Sequence, residues 1–177
     1  NKLPINMIAA LSEKEFGAQN FYGVTSPSAV PFEITQASLL GFSTSLKSGN
    51  FTWKPRIYWR RNQDEYIYKR NNPSFYRNLH ITNKMAVELN GSYQSNIGIT
   101  GFGIETSKTY ISSSNLGDNH RFISTAFLEH RFNFLQNKLD ITPGISGSYY
   151  SDFKFQAFPG MDIGYQINEN TRIYGNM

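Results

Sequence analysis

The sequence predicts an all-β protein: an antiparallel up-and-down meander of about nine long strands, forming part of a transmembrane β-barrel. Three observations predict it. Apolar and polar residues alternate along most of the chain, and helical spacing is scarce. Most alternating runs are 11–16 residues long, against about 5–6 for an ordinary strand and about 9–11 for a tilted membrane-crossing one. Tight turns alternate with links that are usually longer, as in barrels with short turns at one rim and larger loops at the other.

The expected strands cover roughly 4–13, 32–47, 51–61, 83–94, 97–112, 120–134, 138–150, 155–167 and 171–177. Four of them carry the clearest pattern. In Phe51–Arg60 one face holds Phe51, Trp53, Pro55, Ile57 and Trp59, and the other Thr52, Lys54, Arg56, Tyr58 and Arg60. Further on, Met85, Val87, Leu89, Gly91 and Tyr93 oppose Lys84, Ala86, Glu88, Asn90 and Ser92. Phe122, Ala126, Leu128, Phe132 and Phe134 share a face interrupted by Ser124 and His130. Leu139, Ile141, Pro143, Ile145, Gly147 and Tyr149 alternate with Asp140, Thr142, Gly144, Ser146 and Ser148. Tight turns are expected at Ser48-Gly49-Asn50, Ser95-Asn96, Leu135-Gln136-Asn137 and Asn168-Glu169-Asn170. The intervening links 14–31 and 62–82 are expected to be long, 113–119 moderate and 151–154 short.

Composition narrows the function classes. The chain has 177 residues, 17 basic and 13 acidic, a net charge of +4 spread too evenly to point to nucleic acid. Cysteine is absent, which excludes a disulfide scaffold, a thiolate zinc site and a cysteine nucleophile. No apolar run approaches the roughly 18 residues of a membrane helix, and a strand-built barrel escapes that test. Asn1-Lys2-Leu3-Pro4 lacks the basic start and apolar core of a signal peptide, and Arg172–Met177 reads as a strand cut in progress. The chain is therefore expected to be a piece of a longer one. At about 20 residues per strand, a 22-strand barrel would take roughly 440 residues.

Three stretches carry a family resemblance. Phe16-Gly17-Ala18-Gln19-Asn20-Phe21-Tyr22-Gly23, Pro55–Asp64, and Phe158–Ile167 running into Thr171–Gly175 resemble the barrel of TonB-dependent outer-membrane receptors, nearest the cobalamin-receptor-like branch. The resemblance implies a 22-strand barrel around an N-terminal plug domain. It also implies energised import, through TonB, of a scarce small-molecule nutrient such as a siderophore, haem or cobalamin. The chain would supply middle barrel strands, with no plug and no TonB box of its own. Its partners would be outer-membrane lipid, the plug domain, TonB through the missing N-terminal region, and the nutrient, with no nucleic acid. Its location would be the outer membrane of a Gram-negative bacterium.

Candidate residues follow. Phe51, Trp53, Trp59, Phe132, Phe134, Tyr149, Tyr150, Phe153 and Phe155 lie near expected strand ends, where amphipathic rings favour a bilayer interface over a soluble β core. Lys54, Arg56, Tyr58 and Arg60 form a row that would face the barrel lumen, meeting plug or water rather than a specific ligand. Residues 63–77 make the richest loop, with rings among cations and acids, and Tyr66, Tyr68, Arg70 and Tyr76 are its ligand candidates. An ordered hairpin with no ligand role is the plainer alternative. Asn115–Asn119 has one carboxylate and reads as a turn rather than a calcium loop. His80, His120 and His130 lack metal-ligand spacing.

No nucleophile elbow, phosphate loop or dinucleotide fingerprint occurs, so no catalytic residue, metal or cofactor is assigned and the chain is not expected to be an enzyme. The competing fold is a soluble β-sandwich, a carbohydrate-binding or adhesion module, whose apolar faces would pack on a second sheet. The facing assignment is testable. Ile57→Asp should lower the detergent-folded yield, because it sets a charge against lipid, and Arg56→Ser should lower it less. Equal losses would undo the assignment.

Overall fold

The computed structural model describes residues 4–20 and 29–177. Its strands are β1 (Ile5–Gly17), β2 (Phe32–Thr44), β3 (Leu46–Ser48), β4 (Phe51–Ile67), β5 (Arg77–Ser95), β6 (Gly98–Ser113), β7 (Gly117–Phe134), β8 (Leu139–Tyr150), β9 (Lys154–Asn168) and β10 (Thr171–Asn176). A single 3-10 turn, Pro73–Phe75, is the one helical element among the described residues. No helix there is long and apolar enough to cross a membrane, which says nothing of strands.

All strands join one antiparallel sheet in the order β1-β2-β4-β5-β6-β7-β8-β9-β10, with β3 paired to β4. Each strand thus lies beside its chain neighbour, the simplest meander. Ten strands stand where nine were expected because the chain breaks at Ser45. The piece beyond it, β3, pairs Leu46–Ser48 with Trp53–Phe51, so β2 and β3 share one position in the sheet. β1 and β10 do not pair with each other, and the sheet is open rather than closed into a barrel.

The register aligns the alternation of every strand. Phe42 opposes Ile57, Ile57 opposes Val87, and Val87 opposes Thr106. A second row runs Trp53, Gly91, Phe102, Leu128, Ile145 and Pro159 across six strands. One face is therefore mainly apolar across the sheet, broken by Thr106, Lys108, Ser124 and His130. The other carries Arg56 opposite Glu88 and Glu88 opposite Glu105. A one-residue slip anywhere would exchange the faces of that strand, so the two-residue period fixes the register.

Burial runs opposite to that of a water-soluble protein. Ile57, Val87, Leu128 and Ile145 on the apolar face are 53–58% exposed. Glu88, Ser107, Asp140 and Ser148 on the polar face are 4–8% exposed. The contrast is clearest in β5, β6 and β8, as in a sheet curled toward its polar face there, while Lys54, Arg56 and Arg60 leave the polar face of β4 open. Among the described residues no second sheet covers the apolar face.

Aromatic rings gather at the turn end of the apolar face. Phe51 lies 5.9 Å from Trp53 and 4.6 Å from Tyr93, and Trp53 meets Phe102 edge-on at 5.3 Å. Phe132 and Phe134 stack at 6.0 Å. A side chain at Gly91 would collide with the Phe102 and Trp53 rings, so the glycine lets them close over the strand. At the other end Trp59 donates from Nε1 to Asn83 Oδ1 at 3.3 Å, which gives the indole a polar anchor. Tyr150 departs from the expected ring set. It neighbours Tyr149 in β8, and successive strand residues face opposite ways, so it lies on the polar face.

The loops separate by end, less strictly than expected. At one end the turns span 49–50, 96–97, 135–138 and 169–170. At the other the links span 18–31, 68–76, 114–116 and 151–153. The expected 62–82 link shrinks to nine residues because β4 and β5 run on as a paired ribbon through Ile67 and Arg77. The 113–119 link shrinks to three, tied by Ser113 Oγ, which accepts from the amides of Asn115 and Leu116 at 3.2 and 2.9 Å. In the turn 135–138, Leu135, Gln136 and Asn137 all adopt left-handed φ values of 51–69° with no glycine among them.

Ion pairs stitch the polar face across strands. Arg56 pairs with Glu88 and Lys84 with Glu105. Asp140 of β8 takes both Arg131 of β7 and Arg172 of β10. Arg172 reaches past β9 because Gly164 lies between them, and a Cβ there would sit 2.5 Å from Arg172 Nη2 and 2.9 Å from Asp140 Oδ2. Gly164→Ala should therefore displace Arg172 and destabilise the folded chain by about 1 kcal/mol. Gly175→Ala, which meets open space, should be near neutral. Thermal melting in detergent with both variants equal would remove Gly164 from this role.

Candidate functional site

The site lies at the long-link end, where β4 and β5 run past the apolar rows. On the apolar face of β4, Trp59 is followed by Arg61, Gln63 and Glu65, so beyond it both faces are polar. The buried residues Ala18, Ala29, Pro31 and Ile67 gather here. Ala18 donates its amide to Pro31 O at 2.9 Å, and Arg70 donates its amide to Val30 O at 3.2 Å, so the links 18–31 and 68–76 are joined. Phe21, Tyr22 and Gly23, part of the first family-like stretch, lie outside the described residues.

The 68–76 link packs on itself. Tyr68 stacks on Phe75 at 5.8 Å and meets Tyr76 edge-on at 6.4 Å. Lys69 Nζ sits 3.9 Å over the Phe75 ring, and the Arg70 guanidinium 4.2 Å over Phe32 of β2. Such cation–ring contacts are each worth about 0.5–1 kcal/mol at exposed sites. The Tyr76 hydroxyl accepts from Asn78 Nδ2 at 3.1 Å and Asn115 Nδ2 at 3.4 Å, tying the link to its neighbour 114–116.

The four expected ligand residues thus divide. Tyr68 and Tyr76 form one ring cluster. Arg70 is turned toward β2, where it holds the link 18–31. Tyr66 is no loop residue; it belongs to β4, half-buried on the polar face opposite Glu33 on one side and Asn78 on the other. The row Lys54, Arg56, Tyr58 and Arg60 does share the polar face, and the structure gives it local partners. Arg56 binds Glu88, Tyr58 lies under Lys84 at 5.5 Å, and Arg60 donates to Asn62 Oδ1 at 3.2 Å.

Below the rings lies a polar group that sequence reasoning missed: Glu33, Asp64, Asn78, His80 and Ser113. Asp64 opposes His80, and His80 opposes Ser113, with His80 Nδ1 2.8 Å from Ser113 Oγ. Asp64 Oδ1 and Asn78 Oδ1 are enclosed and take no hydrogen bond from the described residues. The signal was the even and odd spacing of the ribbon 60–67 and 77–82, which a loop assignment had hidden. The group offers acceptors and rings. Among the described residues no three His, Asp or Glu side chains approach metal-holding geometry. His120 lies beside Tyr110 at 6.2 Å, and His130 lies 2.8 Å from Thr100 Oγ1, each on the apolar face.

The two tyrosines are driven apart. Burial pushes the Tyr66 hydroxyl up from its ordinary value, with Tyr68, Tyr76 and Glu33 adding repulsion. The amide donors of Asn115 and then Asn78 pull Tyr76 down. A lowered acid binds fewer protons when folded, so Tyr76 adds stability as pH rises through its folded pKa, complete above the unfolded value near 10. Ultraviolet phenolate titration should therefore lose its earliest step in Tyr76→Phe and its latest in Tyr66→Phe. Asn115→Ala should raise the early step. Identical curves for the two phenylalanine variants would reject the split.

Comparison with protein-family models gives no match. Comparison with curated protein sequences gives none either. The described residues form a single-layer antiparallel meander of ten strands with one mainly apolar face, one polar face and a ring-rich end.

Proposed function

We propose that the chain is a membrane-crossing section of an outer-membrane receptor barrel of the TonB-dependent kind, binding a scarce nutrient at its ring-rich end for energised import. One observation carries the membrane half: the apolar belt is exposed, with no second layer over it among the described residues, while Glu88, Ser107, Asp140 and Ser148 on the polar face are buried. Leaving one Leu, Ile or Phe side chain in water rather than buried costs about 1.5–3 kcal/mol. A whole sheet face of such residues far exceeds the few hundred Å² a soluble monomer tolerates. The belt also has the right height. From Phe51 to Trp59 are eight steps, about 27 Å along the strand at roughly 3.4 Å each, which a tilt of about 40° reduces to about 21 Å, close to the roughly 25 Å apolar band of a barrel. Rings border it at both ends.

The nutrient half rests on the family resemblance and on the Tyr68, Phe75 and Tyr76 cluster above the enclosed acceptors Asp64 and Asn78. The sandwich reading needs a second sheet over the apolar face, and the described residues form one layer.

Trp53 and Trp59 are the only two tryptophans and border the belt at opposite ends, so they report on it directly. In liposomes, bromine placed near the head groups should quench their emission more than bromine at the chain ends. Emission blind to brominated lipid would reject the membrane half. Visible-band titration of the detergent-folded chain with haem, cobalamin and a ferric siderophore tests the other half. Retention of one, weakened by Tyr68→Ala, is expected, and retention of none would reject it.

Arg56→Ser is a poorer control for Ile57→Asp than the sequence suggested, because it strands Glu88, whose side chain is 9% exposed. Lys54→Ser on the same face is expected to leave the folded yield unchanged while Ile57→Asp lowers it. Equal yields would reject the outward facing of Ile57.

A further inference from the structure

One cation sits among the apolar rows. Lys108 belongs to the cross-strand row Leu40, Trp59, Met85, Lys108 and Phe122, with Met85 and Phe122 as its register partners. It forms no ion pair with any described residue. Its ammonium lies 4.7 Å from the Tyr110 ring, one row nearer the long-link end. That next row is Arg61, Asn83, Tyr110 and His120, also without a carboxylate. Arg61 donates to Gln63 Oε1 at 2.7 Å and pairs with no acid among the described residues.

A groove of about 470 Å³ runs across the two apolar rows beside this cation. Leu40, Phe42, Ile57, Met85 and Val87 line it, and Lys108 and Phe122 close its end. An apolar trough that ends on unpaired positive charge matches one kind of molecule, an amphiphile with an anionic head. Snorkelling toward the interface would account for the direction of Lys108. It leaves unexplained why the groove ends there and why Arg61 stands above it.

We infer that this groove holds a phosphate-bearing anionic lipid, its acyl chain across Ile57 and Val87 and its phosphate on Lys108 and Arg61. The inference rests on the membrane reading above. It assigns a defined lipid site to a face that would otherwise meet bulk bilayer alone.

The full chain, folded in dodecyl maltoside, is incubated with equal amounts of phosphatidylglycerol and phosphatidylcholine of the same acyl length. Native mass spectrometry then counts the retained lipid. Phosphatidylglycerol should be favoured about fivefold for each engaged cation. Lys108→Ala and Arg61→Ala should each lower the ratio about fivefold, and the double variant should bring it near parity. Lys54→Ala, on the opposite face, should leave it unchanged. Met85→Trp, which fills the groove and keeps the charge, should reduce retention of both lipids. A ratio is insensitive to folding yield, so a poorly folding variant still reports. Equal retention by the unaltered chain, or a preference undiminished in Lys108→Ala, would overturn the lipid site. Tryptophan emission quenched by brominated lipid alongside equal retention would sink the site alone. Absent quenching would sink the membrane reading and the site together.

Discussion

A lone β-sheet has two faces and nothing between them. Successive side chains must point to opposite faces, so every strand here sorts its residues into two sets, and the antiparallel register merges those sets across the sheet. Everything else depends on how the two faces are satisfied. The curl encloses part of the polar one, where Glu88 and Asp140 find arginines and Ser148 finds Thr125 Oγ1 at 2.9 Å. The apolar one stays open. The usual stabilising term, burial of apolar surface within the chain, is small among the described residues: Ala18, Ala29, Pro31 and Ile67 under the long links, and Ala86 in the middle of β5. Ladder hydrogen bonds, cross-strand ring contacts and ion pairs hold the strands to one another, and the medium on the apolar side supplies the rest.

Much of this was legible in the residues. The alternation of Phe51–Arg60 and Leu139–Tyr149 fixed strand, facing and approximate length, because period two is the one pattern a strand imposes without help from its neighbours. Turns with left-handed positions showed themselves through Gly49, φ 57°, and through Asn137, φ 69°. Where the chain stops alternating, the reading failed. Arg61, Gln63 and Glu65 take the apolar side of β4, and a strand without an apolar side looks like a loop; opposite them Leu79 and Ile81 alternate with Asn78, His80 and Thr82 in a run too short to mark a strand by itself. Their pairing is set by the hairpin beside them, which extends the ladder regardless of polarity. The same blind spot hid Glu33, Asp64, Asn78 and His80, which meet only once that ribbon is in register.

The site shows a similar division. Rings and cations in 63–77 do come together in space, with Tyr68, Phe75 and Tyr76 in one cluster and Lys69 over the Phe75 ring. Their partners could not be read from the composition. Lys69 and Arg70 differ by one position and lie over different rings, Phe75 within the link and Phe32 from another strand. Three-dimensional closeness of the links 18–31 and 68–76 decides that, and no local pattern encodes it.

Asp140 holds Arg131 from one side and Arg172 from the other, and Gly164 leaves the path clear between them. A single carboxylate is thereby a rivet through four successive strands. The last of them is therefore held twice, by its own ladder with β9 and by an atom two strands away, so the loss of that one carboxylate would release an arginine on each side of it.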